Sequence, residues 1–214
     1  MPENPLPEPI YTIGHSSHSL SHFVELVSNW NVTAIADVRS LPFSRRSPHF
    51  NRRELEAALK LRGMEYRFFG KALGGRPKDP RLYVGGTADY EAMAKTEGFK
   101  EGVDRVVKGS RKHRLALMCS ELDPIECHRC LLVGRALSNL SIPVLHILSD
   151  ASTQSQHDIE EHLLDLNKEV NHDFFMPREE KLEAAYRDQG MRVAYTEKAS
   201  WGEPRLEAND VHYG

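Results

Sequence analysis

Five times along this chain a short apolar run is followed by apolar residues at helical spacing, and that alternation constrains the fold more than any other feature. Ile10 to Ile13 stops at Gly14. Leu20, Phe23, Val24, Val27 and Trp30 then mark one helix face, with Ser19 or Ser21 as the cap. Val32 to Val38 is β-branched and nearly all apolar, as a strand covered on both faces must be. Asn51 opens the next helix, where Glu54 completes a capping box and Phe50 staples onto Leu55. Met64 to Phe69, Leu115 to Cys119 and Ile142 to Leu148 read as further strands. Tyr90, Met93, Ala94, Val103, Val106 and Val107 supply helical material between them, with a break near Gly98. Strands alternating with helices point to an α/β fold: an open parallel, or mostly parallel, sheet of about five strands with helices on both faces.

The pattern changes after Asp150. Ile159, Leu163, Leu166 and Val170 make one amphipathic helix, and Leu182, Ala185 and Tyr186 a second after Pro177. The organisation expected is therefore an α/β core carrying the site over 10–150, C-terminal helices packed on it over 151–190, and a polar tail over 191–214. No run of about 18 apolar residues exists to span a membrane. Met1 to Pro9 is acidic and proline-containing where a signal peptide would start basic and turn apolar. The three cysteines, 119, 127 and 130, are an odd and closely spaced set, which fits a reduced, cytoplasmic chain better than a disulfide scaffold.

Charge points to the ligand class. The net charge is −3, but Arg39 to Arg81 holds twelve Lys/Arg against four Asp/Glu, so a local +8 sits in a remainder of −11. Phe43, Phe50, Tyr66, Phe68, Phe69 and Tyr83 are interleaved with these cations, although several of them, Phe68 and Phe69 especially, suit the core better. Arginines for phosphates and rings for stacking are the ingredients of nucleotide or nucleic-acid recognition. The stretch from Gly70 to Gly86, rich in Gly, Pro and basic residues, reads as a long functional loop.

Ligands of open parallel sheets bind beyond the carboxyl ends of the strands. Those ends here deliver Gly14 with His15 and Ser16, Asp37 with Arg39, Phe69 with Gly70, and Cys119 with Glu121. Asp37 can serve as a water activator while Arg39 grips an anion; the plain alternative is a structural salt bridge. Cys119 ends an apolar strand four residues before a capped helix, a place that favours a thiolate, but Glu121 and Asp123 oppose one. A phosphatase loop would also need an arginine where these acids stand. Asp123, Pro124 and Glu126 predict a helix running to about Asn139. That places Cys127 a full turn inside it, on a core face with Cys130, Leu131, Gly134 and Leu137, and leaves His128 and Arg129 off the apolar face. A Cys127–Cys130 metal pair lacks a second pair at standard spacing. Buried thiols with no cofactor are the simpler expectation, and a composite metal site from His15, Cys119, Cys127 and His128 is the alternative.

These motifs together resemble a known family. Tyr11-Thr12-Ile13-Gly14-His15-Ser16, Asp37-Val38-Arg39 with Pro42, Ser44 and Arg45, Leu73-Gly74-Gly75, and Met118-Cys119-Ser120-Glu121 with Asp123-Pro124 and Cys127-His128-Arg129 follow one another in order over roughly residues 10 to 148. The arrangement is similar to that of the domain-of-unknown-function family 488, DUF488. The resemblance implies that His15, Asp37, Arg39, Cys119, Glu121, Cys127, His128 and Arg129 belong to a shared signature, and that Cys130 does not.

The function expected is hydrolysis of an N-glycosidic bond in a nucleotide or in DNA, in the manner of a repair glycosylase. Asp37 or Glu121 would activate water, with His15 and Cys119 completing the catalytic set. Arg39, Arg45 and Arg46 would hold phosphate, with Tyr83, His128 and Arg129 also on the substrate. A carboxylate is what an oxocarbenium-like transition state needs nearby, and no metal is required for that chemistry. Two other readings stand beside it. One is a thiol- or metal-dependent enzyme on a small molecule, centred on Cys119 with His15 or His128. The other is a non-catalytic module that binds an anion through the same arginines.

Overall fold

Apolar runs flanked by glycine and polar turns become strands here because both of their faces are covered. Every residue of β1 (Ile10–Gly14), β2 (Ala34–Asp37) and β6 (Leu115–Cys119) is buried. The computed structural model describes residues 8–168 and 175–197. In chain order the remaining elements are α1 (Leu20–Asn29), α2 (Arg52–Lys60), β3 (Glu65–Phe68), α3 (Gly70–Leu73), β4 (Tyr83–Val84), β5 (Thr87–Ala88), α4 (Tyr90–Lys95) and α5 (Glu97–Ser110). After β6 come a π-helical turn (Arg129–Gly134), α6 (Arg135–Asn139), β7 (Val144–Ile147), β8 (Thr153–Ser155), α7 (Gln156–Leu166) and α8 (Arg178–Val193).

The main sheet has the order β3-β2-β6-β1-β7-β8. All neighbours pair parallel except the antiparallel edge strand β8, so the fold is the mostly parallel α/β sheet that the alternation predicts. Side chains of β6 alternate between its faces. Ala116 and Met118 pack with α1 and α2 through Phe23, Val27, Leu55 and Leu59. Leu115, Leu117 and Cys119 pack on the other face with Val103 and Val106 of α5 and with Val133. A third apolar cluster joins α7 and α8 to the π-helical turn through Ile159, Leu163, Tyr186, Cys130 and Leu131. No helix among the described residues is long and apolar enough to cross a membrane.

Several local expectations change. Ser19 caps α1 by accepting from the His22 amide. Asn51 precedes α2 as predicted, but its side chain does not cap; it accepts from the Ser44 amide at 2.6 Å and ties down the basic loop instead. The loop from Gly70 folds locally into α3 and the β4–β5 hairpin, which turns on Gly85 and Gly86 at φ 58° and 82°. The two C-terminal helices form; Val170, assigned to the first, lies outside the described residues. Of the tail, residues 191–193 complete α8, and Tyr195 and Thr196 then bond to Ala88 and Thr87. Residues 198–214 lie outside the described residues.

Candidate functional site

The sheet order puts a crevice beside β1 and β6. Gly14 and Cys119 are register partners at adjacent strand ends, and Asp37 ends the strand on the other side of β6. From these ends the chain diverges: β1 leads to α1 on one face, and β6 leads to the π-helical turn on the other. A parallel sheet opens to ligands at such a divergence. The amides of His15 and Ser16 bond to the carbonyls of Cys119 and Ser120, both at 2.9 Å, which extends the ladder into the loops. Gly14 permits this closeness, because a Cβ there would lie 1.8 Å from the Glu121 carbonyl oxygen.

The crevice holds a cleft of about 580 Å³ lined by His15, Arg39, Cys119, Glu121 and His128, with Arg46 and Arg76 at its edge. The exposed ring of Phe43 and the side chains of Tyr90 and Tyr195 also face it. Five predicted site residues, with Arg46, therefore share one cavity. Asp37, Arg45, Tyr83 and Arg129 do not line it.

Asp37 is fully buried, and its carboxylate is saturated. Oδ1 accepts from the Arg39 amide at 3.1 Å and from Arg39 Nε at 2.9 Å. Oδ2 accepts from Arg39 NH2 at 2.6 Å and from the Tyr66 hydroxyl at 2.7 Å. Such a group positions an arginine and leaves no lone pair directed at water in the cleft. Arg39 NH2 also donates to the Phe50 carbonyl at 2.8 Å, and NH1 to His15 Nε2 at 3.1 Å. The second NH1 proton remains for a ligand.

His15 donates from Nδ1 to the Ser16 carbonyl at 2.9 Å, so Nε2 accepts from Arg39, and the ring stacks on Phe50 at 4.3 Å. Burial, with the Arg39 charge, lowers its pKa to about 4, and it is neutral at pH 7. Both nitrogens are occupied by structural partners, so His15 orients Arg39 from the side opposite Asp37. Tyr83 donates to the Pro77 carbonyl at 2.7 Å and packs on the core, away from any stacking position. Arg45 is exposed outside the cleft.

The segment after Cys119 departs most from expectation. Asp123 does cap, accepting from the Ile125 amide at 3.0 Å, but the turn it starts is a single 3-10 turn over Pro124–Glu126. Cys127 is extended, at φ −135° and ψ 136°, rather than inside a helix, and helical geometry resumes only at His128. The extended residue turns its thiol away from the Cys130 face and toward Cys119. Cys119 Sγ donates to Glu121 Oε2 at 2.9 Å, and Cys127 Sγ lies 3.0 Å from the same oxygen. His128 Nδ1 lies 3.7 Å from Cys119 Sγ and 3.9 Å from Cys127 Sγ, while Nε2 donates to the Val38 carbonyl at 3.0 Å. His15 is not in this cluster; Glu121 stands where the sequence reading put it. His128 and Arg129 are buried rather than on a solvated surface, at 8% and 0% exposure.

Electrostatics separate the two thiols. Burial raises Cys119 well above the usual thiol range, with Cys127 and Glu121 adding to the shift. Burial also works against ionisation of Cys127, but its bond from Cys119 and the charges of Arg129 and His128 outweigh that and bring it well below the usual range. Glu121 is raised, first by burial and then by Cys127. Cys130 stands apart beside Gln156, pushed up to about 12 by burial.

Sequence reading missed Arg76, Tyr90 and Tyr195. Arg76 donates its amide to Ser40 Oγ at 3.0 Å and stacks its guanidinium on Tyr195, 4.5 Å from the ring centroid. Tyr195 is brought there by the tail residues that bond to Ala88 and Thr87. Its only sequence signal is an aromatic in a polar stretch.

No curated protein and no solved structure matches this chain. One family does, the domain of unknown function DUF488, over residues 19–136, a span that includes Asp37, Arg39, Cys119, Glu121, Cys127, His128 and Arg129 but begins just after His15. The match covers more than half of the chain, and the protein belongs to that family.

Proposed function

We propose that this protein is a hydrolase that cleaves the N-glycosidic bond of a phosphate-bearing substrate, a nucleotide or a nucleotide unit of DNA. The observation that carries the reading is the shared cleft: the Glu121 carboxylate and three arginines, Arg39, Arg46 and Arg76, open into one cavity of about 580 Å³. Arg39 is fixed by Asp37 and His15 and offers one N–H, whereas Arg46 and Arg76 are exposed and adapt to the phosphate. Phe43, Tyr90 and Tyr195 supply rings on which a base can stack.

In this scheme Glu121, not Asp37, takes a proton from water. The water oxygen forms a bond to C1′ of the sugar. The C1′–N bond breaks, and the base leaves with the bonding pair and gains a proton from solvent. The Glu121 carboxylate stabilises the positive charge that builds on the sugar. Cys119 is a poor nucleophile for the competing thiol mechanism, because an anion sits 2.9 Å from its sulfur and opposes a thiolate.

The test is incubation of the full chain with nucleotides and with normal, damaged and hypermodified DNA, reading released base by chromatography and alkali-labile sites in the strand. Base release that disappears in Glu121→Gln supports the proposal. A blank result across the panel, or undiminished release by Glu121→Gln, overturns it.

A further inference from the structure

We infer that Cys119, Cys127 and His128, with Glu121 at the fourth position, form a binding site for a divalent cation of the zinc class. The inference rests on the hydrolase reading for its chemical role, and on ligand geometry for its existence. One donor atom from each of the four residues lies within 4.8 Å of every other. A tetrahedral ion with bonds of about 2.3 Å to sulfur and about 2.0–2.1 Å to nitrogen has S···N edges of roughly 3.5 Å. The two edges here measure 3.7 and 3.9 Å. The S···O separations, 2.9 and 3.0 Å, are shorter than such an edge, so the Glu121 carboxylate would withdraw by the difference as an ion enters.

Three surrounding features point the same way. His128 gives its Nε2 proton to the Val38 carbonyl, so the neutral ring presents its Nδ1 lone pair to the sulfurs. Ligating imidazoles are held in this manner. Arg129 is fully buried and donates to the carbonyls of Glu121 and Leu122, at 2.6 and 2.8 Å. Its Nε has no hydrogen-bond partner, and among the described residues it pairs with no carboxylate. A dication with two thiolates and one carboxylate carries −1, which keeps a counter-charge beside that buried cation once the thiolates are bound to metal. The fourth ligand is also the one exposed member, so the open side of the ion faces the cleft. Thiolate with imidazole selects zinc or its close neighbours over magnesium or calcium. A zinc ion there would polarise a water displacing Glu121, which then stands beside it as the base.

The experiment measures the metal directly. The full-length reduced chain is assayed for bound metal by mass spectrometry, titrated with zinc against a chromophoric chelator, and substituted with cobalt for its absorption spectrum. The expected result is one zinc per chain and a thiolate-to-cobalt charge-transfer band. Zinc affinity falls by roughly a hundredfold or more in Cys119→Ser and Cys127→Ser and is unchanged in Cys130→Ser. Glu121→Gln keeps the charge-transfer band and shifts the ligand-field bands. Should a cysteine variant fail to fold, the wild-type stoichiometry and cobalt spectrum still decide. No zinc binding by the reduced wild type, a Cys119–Cys127 disulfide forming in place of metal uptake, or an equal loss in Cys130→Ser overturns the inference. Zinc bound without base release leaves this site standing and removes the glycosidic reaction; base release from a chain that takes up no zinc does the reverse.

Discussion

The Asp37 carboxylate grips the Arg39 guanidinium by both oxygens, Nε to Oδ1 at 2.9 Å and NH2 to Oδ2 at 2.6 Å, with neither residue more than 4% exposed. The pair sets where one proton of Arg39 meets the cleft. Asp37→Asn leaves that guanidinium buried without its counter-ion, and breaking a buried pair from one side costs about 3–5 kcal/mol. A lower urea midpoint is expected, together with weaker phosphate binding. Tyr66→Phe removes one bond to the same carboxylate and costs about 1 kcal/mol. An Asp37→Asn chain of wild-type stability that binds nucleotide normally but does not turn over would return Asp37 to the role of water activator.

The exposed arginines separate cleft from surface. Arg46 and Arg76 line the cavity and Arg45 does not, although Arg45 and Arg46 are neighbours in sequence. Arg46→Ala and Arg76→Ala are each expected to weaken binding of a nucleoside monophosphate about tenfold, and to lower the salt slope for oligonucleotide binding by about 1. Arg45→Ala should change neither. Melting curves should be unaltered in all three. Fluorescence titrations at two salt concentrations check each variant.

Most of the scaffold was legible because burial on both faces demands continuous apolar runs, and Leu115–Cys119 shows it residue for residue. The ends of those strands also located His15, Arg39, Cys119 and Glu121 in one cleft. What could not be read was the path between Asp123 and Arg135. A capping aspartate followed by proline signals a helix start, but it does not say whether one turn or four will follow. Here the turn stops at Cys127, and an extended residue carries the thiol to Cys119. The surroundings of Asp37 were illegible for a related reason. Sequence shows an acid at a strand end, whereas its saturation depends on Tyr66, 29 residues away.

Two buried neutral histidines predict how stability falls with acid. His15 is lowered to about 4 by burial and Arg39, and His146 to about 3 by burial and Arg129. His146 Nε2 donates to Gln156 Oε1 at 3.0 Å and Nδ1 accepts from the Thr12 hydroxyl at 2.7 Å, so protonation breaks a closed network. Both folded values lie below the unfolded value of about 6.5, so the unfolded chain binds protons first as pH drops. Their contribution is complete above about pH 6.5 and is lost as pH falls toward 4, at roughly 2–4 kcal/mol for His15. His146→Gln lowers stability overall, but the loss between pH 6.5 and 4 becomes shallower. Denaturation series at several pH values measure that slope, and equal slopes in both chains would refute the assignment.

Gly14 offers the sharpest test that the crevice depends on the backbone as well as the side chains. A Cβ at this position would meet the Glu121 carbonyl oxygen at 1.8 Å and its carbon at 2.8 Å, both backbone atoms of the loop that presents the carboxylate. No rotamer relieves that clash, so the loop after β6 must move. The amide bond from His15 to the Cys119 carbonyl, at 2.9 Å, moves with it. Gly14→Ala is therefore expected to lose at least the 1–3 kcal/mol typical of overpacking. Base release should also fall beyond what the unfolded fraction explains, because in the proposed scheme Glu121 no longer faces the water and the sugar carbon it must act on. Gly98 is the matched control: it lies in α5, and a Cβ there meets nothing within 4 Å. Gly98→Ala should leave activity intact and stabilise the chain by about 0.4–1 kcal/mol, since alanine gives up less backbone freedom on entering a helix. Urea midpoints and single-turnover base release on the two variants decide the matter, and a Gly14→Ala chain as stable and active as wild type would show that the two loops need not touch.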